Sequence, residues 1–269
     1  MNIFYYDVAV DIPVRQCFTY KSTSKIKKGT RVTVPFGKKT LIGIVIKASS
    51  IKTSIIKTSA IKEIISVDDQ YVCFNKPLFD TLLWASEYYH HPIGEVFLSF
   101  LPSILRKHTN KSIINIDEKF NYKINSSDKN FDLTSEQKIS LKKLKKIEEF
   151  NPTLIYGVTG SGKTEIYLRL AEKLIKEKKS VLLLVPEINL VPQMSNRFKK
   201  RFDGEIGVYH SKLTPNQGFK IWLKSRLGGL KIVIGTRSAV MMPLKNIGAI
   251  IIDEEHDQSY KQSADCLYD

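Results

Sequence analysis

The segment LIYGVTGSGKTEIYLRL, residues 154–170, constrains the fold of this chain more than any other stretch. An apolar run leads into a glycine-rich bend, and an amphipathic stretch follows it. The bend, GVTGSGKT, has the spacing of a phosphate-binding loop, with Gly157, Gly162, Lys163 and Thr164 in register. Gly160, between them, is a further candidate for binding the nucleotide. Such a loop joins a strand to a helix, so the segment predicts an α/β nucleotide-binding domain.

Strand and helix patterns alternate on both sides of this loop. The apolar runs are TLIYGV, SVLLLVP, EIGVYH, KIVIGT and IGAIIID, and amphipathic stretches separate them. This order predicts a parallel sheet that helices cover on both faces. An amphipathic stretch that begins near Phe131, with Thr134 or Ser135 as its N-cap, precedes the first of these strands.

The first 105 residues have a different pattern. The runs NIFYYDVAVDI, GTRVTVPFG and TLIGIVIKA favour strands, and PLFDTLLWASEYYHH favours a helix that Pro92 to Gly94 ends. Residues 106–130 are polar and rich in Lys, Asn and Ser, which is typical of a linker. We therefore expect domains at 1–105 and 131–269, joined by the segment 106–130.

The charge of the chain indicates a polyanionic partner. Forty-two Lys and Arg residues against 27 Asp and Glu leave a formal charge of +15, which suits nucleic acid or an anionic membrane surface. A lysine-rich composition can also arise from A+T-rich coding sequence. The three cysteines form no CxxC pair, and neither a signal peptide nor an apolar run of ~20 residues is present. We expect a cytoplasmic protein without a zinc site in this chain.

The phosphate-binding loop predicts ATP and Mg²⁺ as ligands. Its glycines let backbone N–H groups turn toward phosphate oxygens, and the following helix presents its positive end to the same anion. Lys163 is expected to pair with the β- and γ-phosphates, and Thr164 to bind Mg²⁺. A glycine turn without a ligand is the alternative.

The run IGAIIIDEEHD places carboxylates at the end of a strand, 90 residues after Lys163. Ligands of open α/β sheets lie at that edge, so Asp253 is expected to hold Mg²⁺ and Glu254 to polarise the attacking water. His256 is either a solvated loop histidine or a polar contact that couples the site to movement. Gln137, one helix before the loop, is a candidate for reading the adenine edge.

These motifs together resemble those of superfamily 2 DExH helicases. The segments LLLVPEINLVPQM, YHSKLT, KIVIGTRSAV and IIIDEEHDQSYKQ are similar to segments of the primosomal protein N′ (PriA) family of replication-restart helicases. VAVDIPVRQCFTY, RVTVPFGKK and LLWASEYYHHPIGEVFLSFLP resemble the N-terminal DNA-binding domain of that family. The resemblance implies an α/β fold: a RecA-like P-loop domain with a parallel sheet, preceded by a small mostly-β DNA-binding domain.

The same resemblance implies a pocket for the 3′ end of DNA at a fork. Phe18 would stack on the terminal base, Gly37 would let the backbone approach the sugar, and Lys62 would neutralise phosphate. Each residue also has a simpler interpretation: Phe18 as a core residue, Gly37 as a turn glycine and Lys62 as a solvated charge. Family members often carry Asp where this chain has Thr19, which predicts weaker selection of a 3′-hydroxyl. Thr236 and Arg237, in GTRS, would contact single-stranded DNA, although Arg237 also suits an ordinary surface position.

Two departures from the family pattern accompany these implications. The winged-helix module expected between the domains has only residues 106–130 in its place, so it is expected to be reduced or missing. The sequence given stops soon after DEEHDQSYKQ. We therefore expect the second helicase lobe and the family's cysteine-rich zinc region to be absent from this chain.

The sequence thus predicts an ATP-dependent 3′→5′ DNA helicase of replication restart, present as its N-terminal part. The alternative is a fork-binding fragment without independent helicase activity. Forked and single-stranded DNA are the expected partners. The family resemblance adds primosome proteins and single-strand binding protein, near the nucleoid, and no membrane. A P-loop kinase or transporter ATPase would explain the loop but not DEEH, GTRS or the basic front domain.

Overall fold

The computed structural model describes residues 2–49, 60–68, 72–107, 123–124, 132–144, 149–158 and 160–261. The predicted linker and winged-helix position at 106–130 therefore lie almost entirely outside the described residues, as does the C-terminal tail from residue 262. The chain divides into two compact units, formed mainly by the described residues up to 107 and by those from 123 onward. None of the described helices combines the length and apolar character that a bilayer crossing requires.

The first unit is built on a five-stranded sheet with the order β2-β1-β4-β3-β5. All its strand pairs are antiparallel. The strands are β1 (Phe4–Val10), β2 (Phe18–Ser22), β3 (Arg31–Phe36), β4 (Lys39–Ala48) and β5 (Ser66–Val67). Alternating residues of β1, such as Tyr6, Val8 and Val10, are buried in a core with Tyr20 and Val32. The sequence prediction of a mostly-β first domain is confirmed.

Two helices and a 3-10 turn complete this unit: α1 (Lys76–Tyr88), α2 (Ile93–Ser99) and Ser103–Arg106. Asn75 caps α1 by accepting a hydrogen bond from the Leu78 N–H at 3.0 Å. The segment Pro92 to Gly94, predicted to end the first helix, instead begins α2, with Pro92 at its N-cap. Gly94 is needed there, since a Cβ would lie 1.7 Å from the carbonyl oxygen of Val10. The close approach fixes α2 against β1.

The second unit alternates strands and helices as the sequence predicts. Its helices are α3 (Ser135–Leu144), α4 (Lys163–Lys176), α5 (Leu190–Arg201) and α6 (Pro215–Leu227). Its strands are β6 (Lys123–Ile124), β7 (Ser180–Leu184), β8 (Phe202–Asp203), β9 (Ile206–Tyr209), β10 (Ile232–Gly235) and β11 (Ile247–Ile252). Short 3-10 turns follow β10, at Arg237–Ala239, and β11, at Gln258–Tyr260.

Four of these strands form a parallel sheet with the order β11-β7-β10-β9. β7 and β10 are buried throughout, as expected for strands that helices cover on both faces. The core contains Ala171 and Leu174 of α4 and Phe198 of α5. Because the strands are parallel, their carboxyl ends meet at one edge of the sheet. The predicted α/β fold is confirmed, with a mostly-β domain followed along the sequence by a P-loop domain.

One predicted strand is absent. TLIYGV, the run before the phosphate-binding loop, has no strand within the described residues 151–158. Leu154, Tyr156 and Val158 are 71, 95 and 77% exposed. A strand is stabilised by hydrogen bonds to a neighbouring strand, and β11 is the edge of the described sheet. The described residues include no strand beside that edge, so the run TLIYGV has no strand to pair with there.

Candidate nucleotide and DNA sites

The phosphate-binding loop curves around the side chain of Lys163. Gly160 and Gly162 have φ angles of 83° and 82°, a left-handed conformation that glycine adopts without strain. The ammonium group of Lys163 donates to the Gly157 carbonyl at 3.0 Å. Gly162 is the N-cap of α4, so the first N–H groups of that helix face the loop without intrahelical acceptors. The loop therefore forms an anion-binding cradle at a helix N-terminus.

The two predicted carboxylates lie at the same place. Asp253 directly follows β11, and its N–H continues the sheet by donating to Leu184 at 2.9 Å. Glu254 lies 3.2 Å from the ammonium group of Lys163. The backbone of Glu254 has a φ of 48°, a conformation that costs a non-glycine residue about 1–3 kcal/mol and that often marks functional sites. The structure thus brings the loop lysine and the DEEH turn together.

Asp253 is held by two tyrosines. The Tyr167 hydroxyl donates to its carboxylate at 3.1 Å, and the Tyr260 hydroxyl donates to its carbonyl oxygen at 2.7 Å. Burial raises the pKa of the Asp253 carboxyl, and the nearby charge of Glu254 adds to this, against the Tyr167 hydrogen bond and the charge of Lys163. Burial, followed by the charge of Asp253, also raises the pKa of both tyrosines, which therefore remain hydrogen-bond donors.

The donor set suits Mg²⁺ bound together with phosphates. The hydroxyl of Thr164, next to Lys163 on α4, accepts a hydrogen bond from the Arg197 guanidinium at 3.1 Å. No group of three or more His, Cys, Asp or Glu residues that could bind a metal alone exists within the described ranges. Mg²⁺ needs no such group, because it is usually held by one or two carboxylates, phosphate oxygens and water. Thr164 and Asp253 fit that description.

Gln137 contacts the loop, but through hydrogen bonds that organise α3. Its N–H donates to the Thr134 hydroxyl at 3.2 Å, and its side-chain oxygen accepts from the Thr134 N–H at 3.0 Å. This is a capping box, and it identifies Thr134 as the N-cap. The side-chain amide nitrogen donates to Ser161 of the loop at 2.8 Å. Gln137 therefore lies at the nucleotide site with its amide engaged by protein groups.

The remaining predicted residues of the second unit lie near the DEEH turn. His256 is 76% exposed, and its ring nitrogen is 3.9 Å from Glu254. Thr236 directly follows β10, and its hydroxyl is 3.5 Å from that of Ser238. Arg237 donates to the carbonyl of Ser259 at 3.0 Å. The GTRS segment is thereby connected to the residues that follow DEEH.

Three of the predicted DNA-binding residues converge in the first unit. Phe18 packs edge-to-face on Phe36, with 5.1 Å between the ring centroids. Gly37 follows Phe36 and has a φ of 58°, and no atom would lie within 4 Å of an added Cβ. The Lys62 ammonium lies 3.5 Å from the Gly37 carbonyl. An aromatic ring, an open stretch of backbone and a cation therefore share one end of the sheet.

Thr19 lies on the other face of β2. Successive side chains of a strand alternate, and Phe18 shares its face with Tyr20 of the core. The Thr19 hydroxyl donates to the carboxylate of Asp7, its cross-strand partner, at 2.9 Å. Lys47 is 3.8 Å from the same carboxylate. The carboxylate of Asp7 thus lies beside Thr19, the position at which the resemblance leads one to expect Asp.

Sequence reasoning did not find Tyr167, Tyr260, Arg197 or Asp7. Tyr167 could have been found, because it lies four residues after Lys163 on the same helical face. Asp7 could not, because its contact with Thr19 depends on the pairing register of β1 and β2. Tyr260 lies within the segment IIIDEEHDQSYKQ, but its bond to the Asp253 carbonyl, like that of Arg197 to Thr164, depends on how the chain folds and not on a local pattern.

Comparison with protein families gives matches to two separate segments of the chain. Residues 7–102 match the 3′DNA-binding domain (3′BD) family, and residues 134–268 match the DEAD/DEAH box helicase family. The first match contains Phe18, Gly37 and Lys62, and the second contains the phosphate-binding loop.

Comparison with curated proteins gives relatives that include several named "Replication restart protein PriA". The protein from Haemophilus influenzae is 32% identical over 97% of this chain and 45% of its own length. The proteins from Treponema pallidum and Rickettsia felis are 34 and 39% identical, over 96 and 89% of this chain and 39 and 35% of their own lengths. The chain thus spans less than half the length of these relatives. The resemblance drawn from the motifs is confirmed.

Proposed function

The chain belongs to the DEAD/DEAH box helicase family, and we propose that it acts in replication restart, using ATP to drive 3′→5′ unwinding at forks with a free 3′ end. The observation that carries the proposal is the 3.2 Å contact between Lys163 and Glu254. It joins a phosphate-binding lysine to a carboxylate at the ligand-binding edge of a parallel sheet. The matches to a 3′DNA-binding domain and to PriA proteins support the choice of DNA substrate.

The residues of the second unit would divide the chemistry of ATP hydrolysis. Lys163 would break its ion pair with Glu254 and instead neutralise the β- and γ-phosphates. The N–H groups of the loop and of α4 would bind the same phosphate oxygens. Glu254, once released, orients a water molecule and accepts its proton. Thr164 and Asp253 would hold Mg²⁺, which when bound withdraws charge from the phosphate oxygens.

The residues of the first unit would hold the DNA end. Phe18 stacks on the terminal base, the open backbone at Gly37 lies against the sugar, and Lys62 neutralises a phosphate. β2 ends the strand order of its sheet, and at Lys21 it pairs with the segment that carries Lys62. In this proposal the DNA end lies beside β2 and meets side chains on both of its faces. Thr19, on the second face, would then bond the 3′-hydroxyl.

Further contacts and partners belong to the same proposal. The amide of Gln137 would read the adenine edge after leaving Ser161, and Thr236 and Arg237 would contact the backbone of single-stranded DNA. In the complete helicase a zinc-binding region, primosome proteins and single-strand binding protein would join the assembly at the nucleoid. These follow from the family resemblance, with the motifs as their support.

ATP turnover by the purified chain tests the proposal directly. We expect turnover to rise with forked DNA that carries a leading-strand 3′ end, and to fall to background in Glu254→Gln. Nucleotide binding should survive that substitution, because the phosphate contacts come from the loop. Turnover that is indifferent to DNA and to Glu254→Gln would overturn the catalytic assignment.

A second function, fork binding without independent unwinding, is favoured by one observation. Phe18, Gly37 and Lys62 all lie in the first unit, apart from the residues of the nucleotide site in the second unit. If the chain binds forks tightly without fork-stimulated turnover, this second function is correct. A site that neutralises about six phosphates should lose on the order of 10³-fold in affinity between 50 and 200 mM salt. Salt-independent binding would argue against both functions.

A further inference from the structure

Tyr167 is placed by the geometry of α4 to act on the nucleotide site. It lies three residues after Thr164 and four after Lys163, so all three project from one face of the helix. Tyr167 is buried, with 5% of its surface exposed, and packs in the core with Leu168 and Ala171. A ring fixed in this way leaves its hydroxyl little freedom of position.

The hydroxyl of Tyr167 reaches the carboxylate of Asp253. The distance between the oxygens is 3.1 Å, and the phenol must be the donor because an ionised carboxylate only accepts. Asp253 is the first residue after β11, and its carboxylate would otherwise rotate about the terminal torsion, which has a broad energy minimum. One of its two oxygens is therefore held in a fixed direction relative to α4.

We infer that Tyr167 is a positioning residue, which orients the Asp253 carboxylate toward the Mg²⁺ that accompanies the nucleotide. The inference rests on the proposed function, since it assigns Asp253 to the metal. Groups that hydrogen-bond to metal ligands commonly set ligand orientation, and their removal costs about 10- to 100-fold in metal affinity. Tyr167 also ties the Thr164 end of α4 to the Asp253 end of β11, so both metal-binding residues keep one spacing.

The test is the Mg²⁺ requirement of nucleotide binding in Tyr167→Phe. A fluorescent non-hydrolysable ATP analogue would be titrated into the whole chain at a series of Mg²⁺ concentrations and in EDTA. We expect the variant to need about 10- to 100-fold more Mg²⁺ to reach half of the Mg²⁺-induced increase in affinity for the ATP analogue. Its affinity for the analogue in EDTA should be unchanged. Saturating Mg²⁺ should restore the affinity of the unsubstituted chain. An unchanged Mg²⁺ requirement overturns the inference.

Tyr260→Phe is the matched control for a general loss of stability in the turn around Asp253. It also removes a half-buried hydroxyl that bonds to Asp253, but at the backbone carbonyl and not at the carboxylate. We expect it to change the Mg²⁺ requirement by less than threefold. Equal shifts in both variants would mean that both act through the stability of the turn, and would overturn the positioning role.

Asp253→Asn separates failure of this inference from failure of the proposed function. This substitution leaves no carboxylate for Tyr167 to orient, so adding Tyr167→Phe should change nothing further in Mg²⁺-dependent binding. If Mg²⁺ does not tighten nucleotide binding by the unsubstituted chain, the proposed nucleotide site is wrong. If Mg²⁺ does so and Asp253→Asn abolishes the effect while Tyr167→Phe leaves it unaltered, the site is right and the role of Tyr167 is wrong.

Discussion

Thr19 and Asp7 are joined by a 2.9 Å hydrogen bond between adjacent strands, hydroxyl to carboxylate. Thr19→Asp places a second carboxylate directly opposite the first. Like charges in cross-strand positions destabilise a sheet, so we expect a loss of roughly 0.2–1 kcal/mol, together with the lost hydrogen bond. Urea unfolding at low salt measures the loss, which should shrink at high salt. A variant as stable as the unsubstituted chain would contradict this.

Exchanging the two residues controls for that repulsion. The double variant Asp7→Thr with Thr19→Asp keeps one hydroxyl and one carboxylate in the pair but moves the charge onto β2. We expect stability close to that of the unsubstituted chain, and stronger discrimination between a 3′-hydroxyl and a 3′-phosphate end. Unchanged discrimination with intact binding would mean that position 19 does not contact the end.

Lys163 is predicted to carry much of the nucleotide affinity. In Lys163→Ala the phosphates lose a charge-assisted contact worth about 1.5–3 kcal/mol, so affinity should fall roughly 10- to 150-fold. Isothermal titration with an ATP analogue and Mg²⁺ measures it. Lys173→Ala is the control, because Lys173 is on the same helix and forms a surface ion pair with Glu177 at 3.5 Å. Affinity in Lys163→Ala within twofold of the unsubstituted chain would reject the loop as the phosphate site.

Local patterns were sufficient to predict the parts of the nucleotide site that lie within one segment. The left-handed glycines of the loop and the strand before Asp253 agree with the sequence patterns, because glycine at bends and apolar runs before carboxylates reflect local backbone needs. The run TLIYGV has the same apolar signal and yet forms no strand. Strand formation depends on a neighbouring strand elsewhere in the chain, which an apolar pattern does not report.

Contacts between segments could not be predicted in the same way. The bond from Tyr167 to Asp253 spans 86 residues, and that from Thr19 to Asp7 requires a particular register. A shift of one residue in that register would flip every side chain of β2, so Thr19 would turn to the core face of the sheet and Phe18 away from it. Family resemblance supplied the roles of Phe18, Gly37 and Lys62, whereas their proximity is visible in the structure alone.

The ionised carboxylate of Asp253 is predicted to lower the stability of the folded chain. Burial raises the pKa of its carboxyl, so the folded chain favours the protonated form, and ionisation opposes folding as the pH rises through the folded pKa. Asp253→Asn should therefore raise the midpoint temperature of unfolding at pH 7.5 in EDTA. The gain should shrink as the pH falls through the raised pKa of Asp253, because the folded chain then holds the aspartate in its protonated form. A lower midpoint at pH 7.5 would show that the ionised carboxylate stabilises the fold.

The thiol of Cys17 is predicted to react slowly with alkylating reagents. Burial, assisted by the charge of Asp7, raises its pKa from 9.0 to about 11. At pH 8 the thiolate fraction, and with it the rate of alkylation by iodoacetamide, should be about 100-fold lower than for the unfolded chain. A variant without Cys73 and Cys266 isolates the signal, and Asp7→Asn should speed the reaction. Labelling at the rate of the unfolded chain would contradict the raised pKa.

Phe18 is predicted to bind the terminal base by stacking. Stacking on an aromatic side chain is worth about 1–3 kcal/mol per base, so Phe18→Ala should weaken binding of DNA with a free 3′ end about 5- to 150-fold. Fluorescence anisotropy with a short labelled strand measures this at fixed salt. The loss should be similar for every terminal base, because all four have a stacking face.

Tyr88→Ala provides the matched control for loss of an aromatic side chain in the same unit. Tyr88 is 64% exposed and stacks on Trp84 at the end of α1. None of Phe18, Gly37 and Lys62 belongs to that helix. We expect this variant to bind the 3′ end as the unsubstituted chain does. Circular dichroism must show Phe18→Ala folded, since its ring also packs on Phe36. A folded Phe18→Ala with undiminished affinity would make the ring a core residue, and Lys62 with the Gly37 backbone would then have to hold the end without stacking.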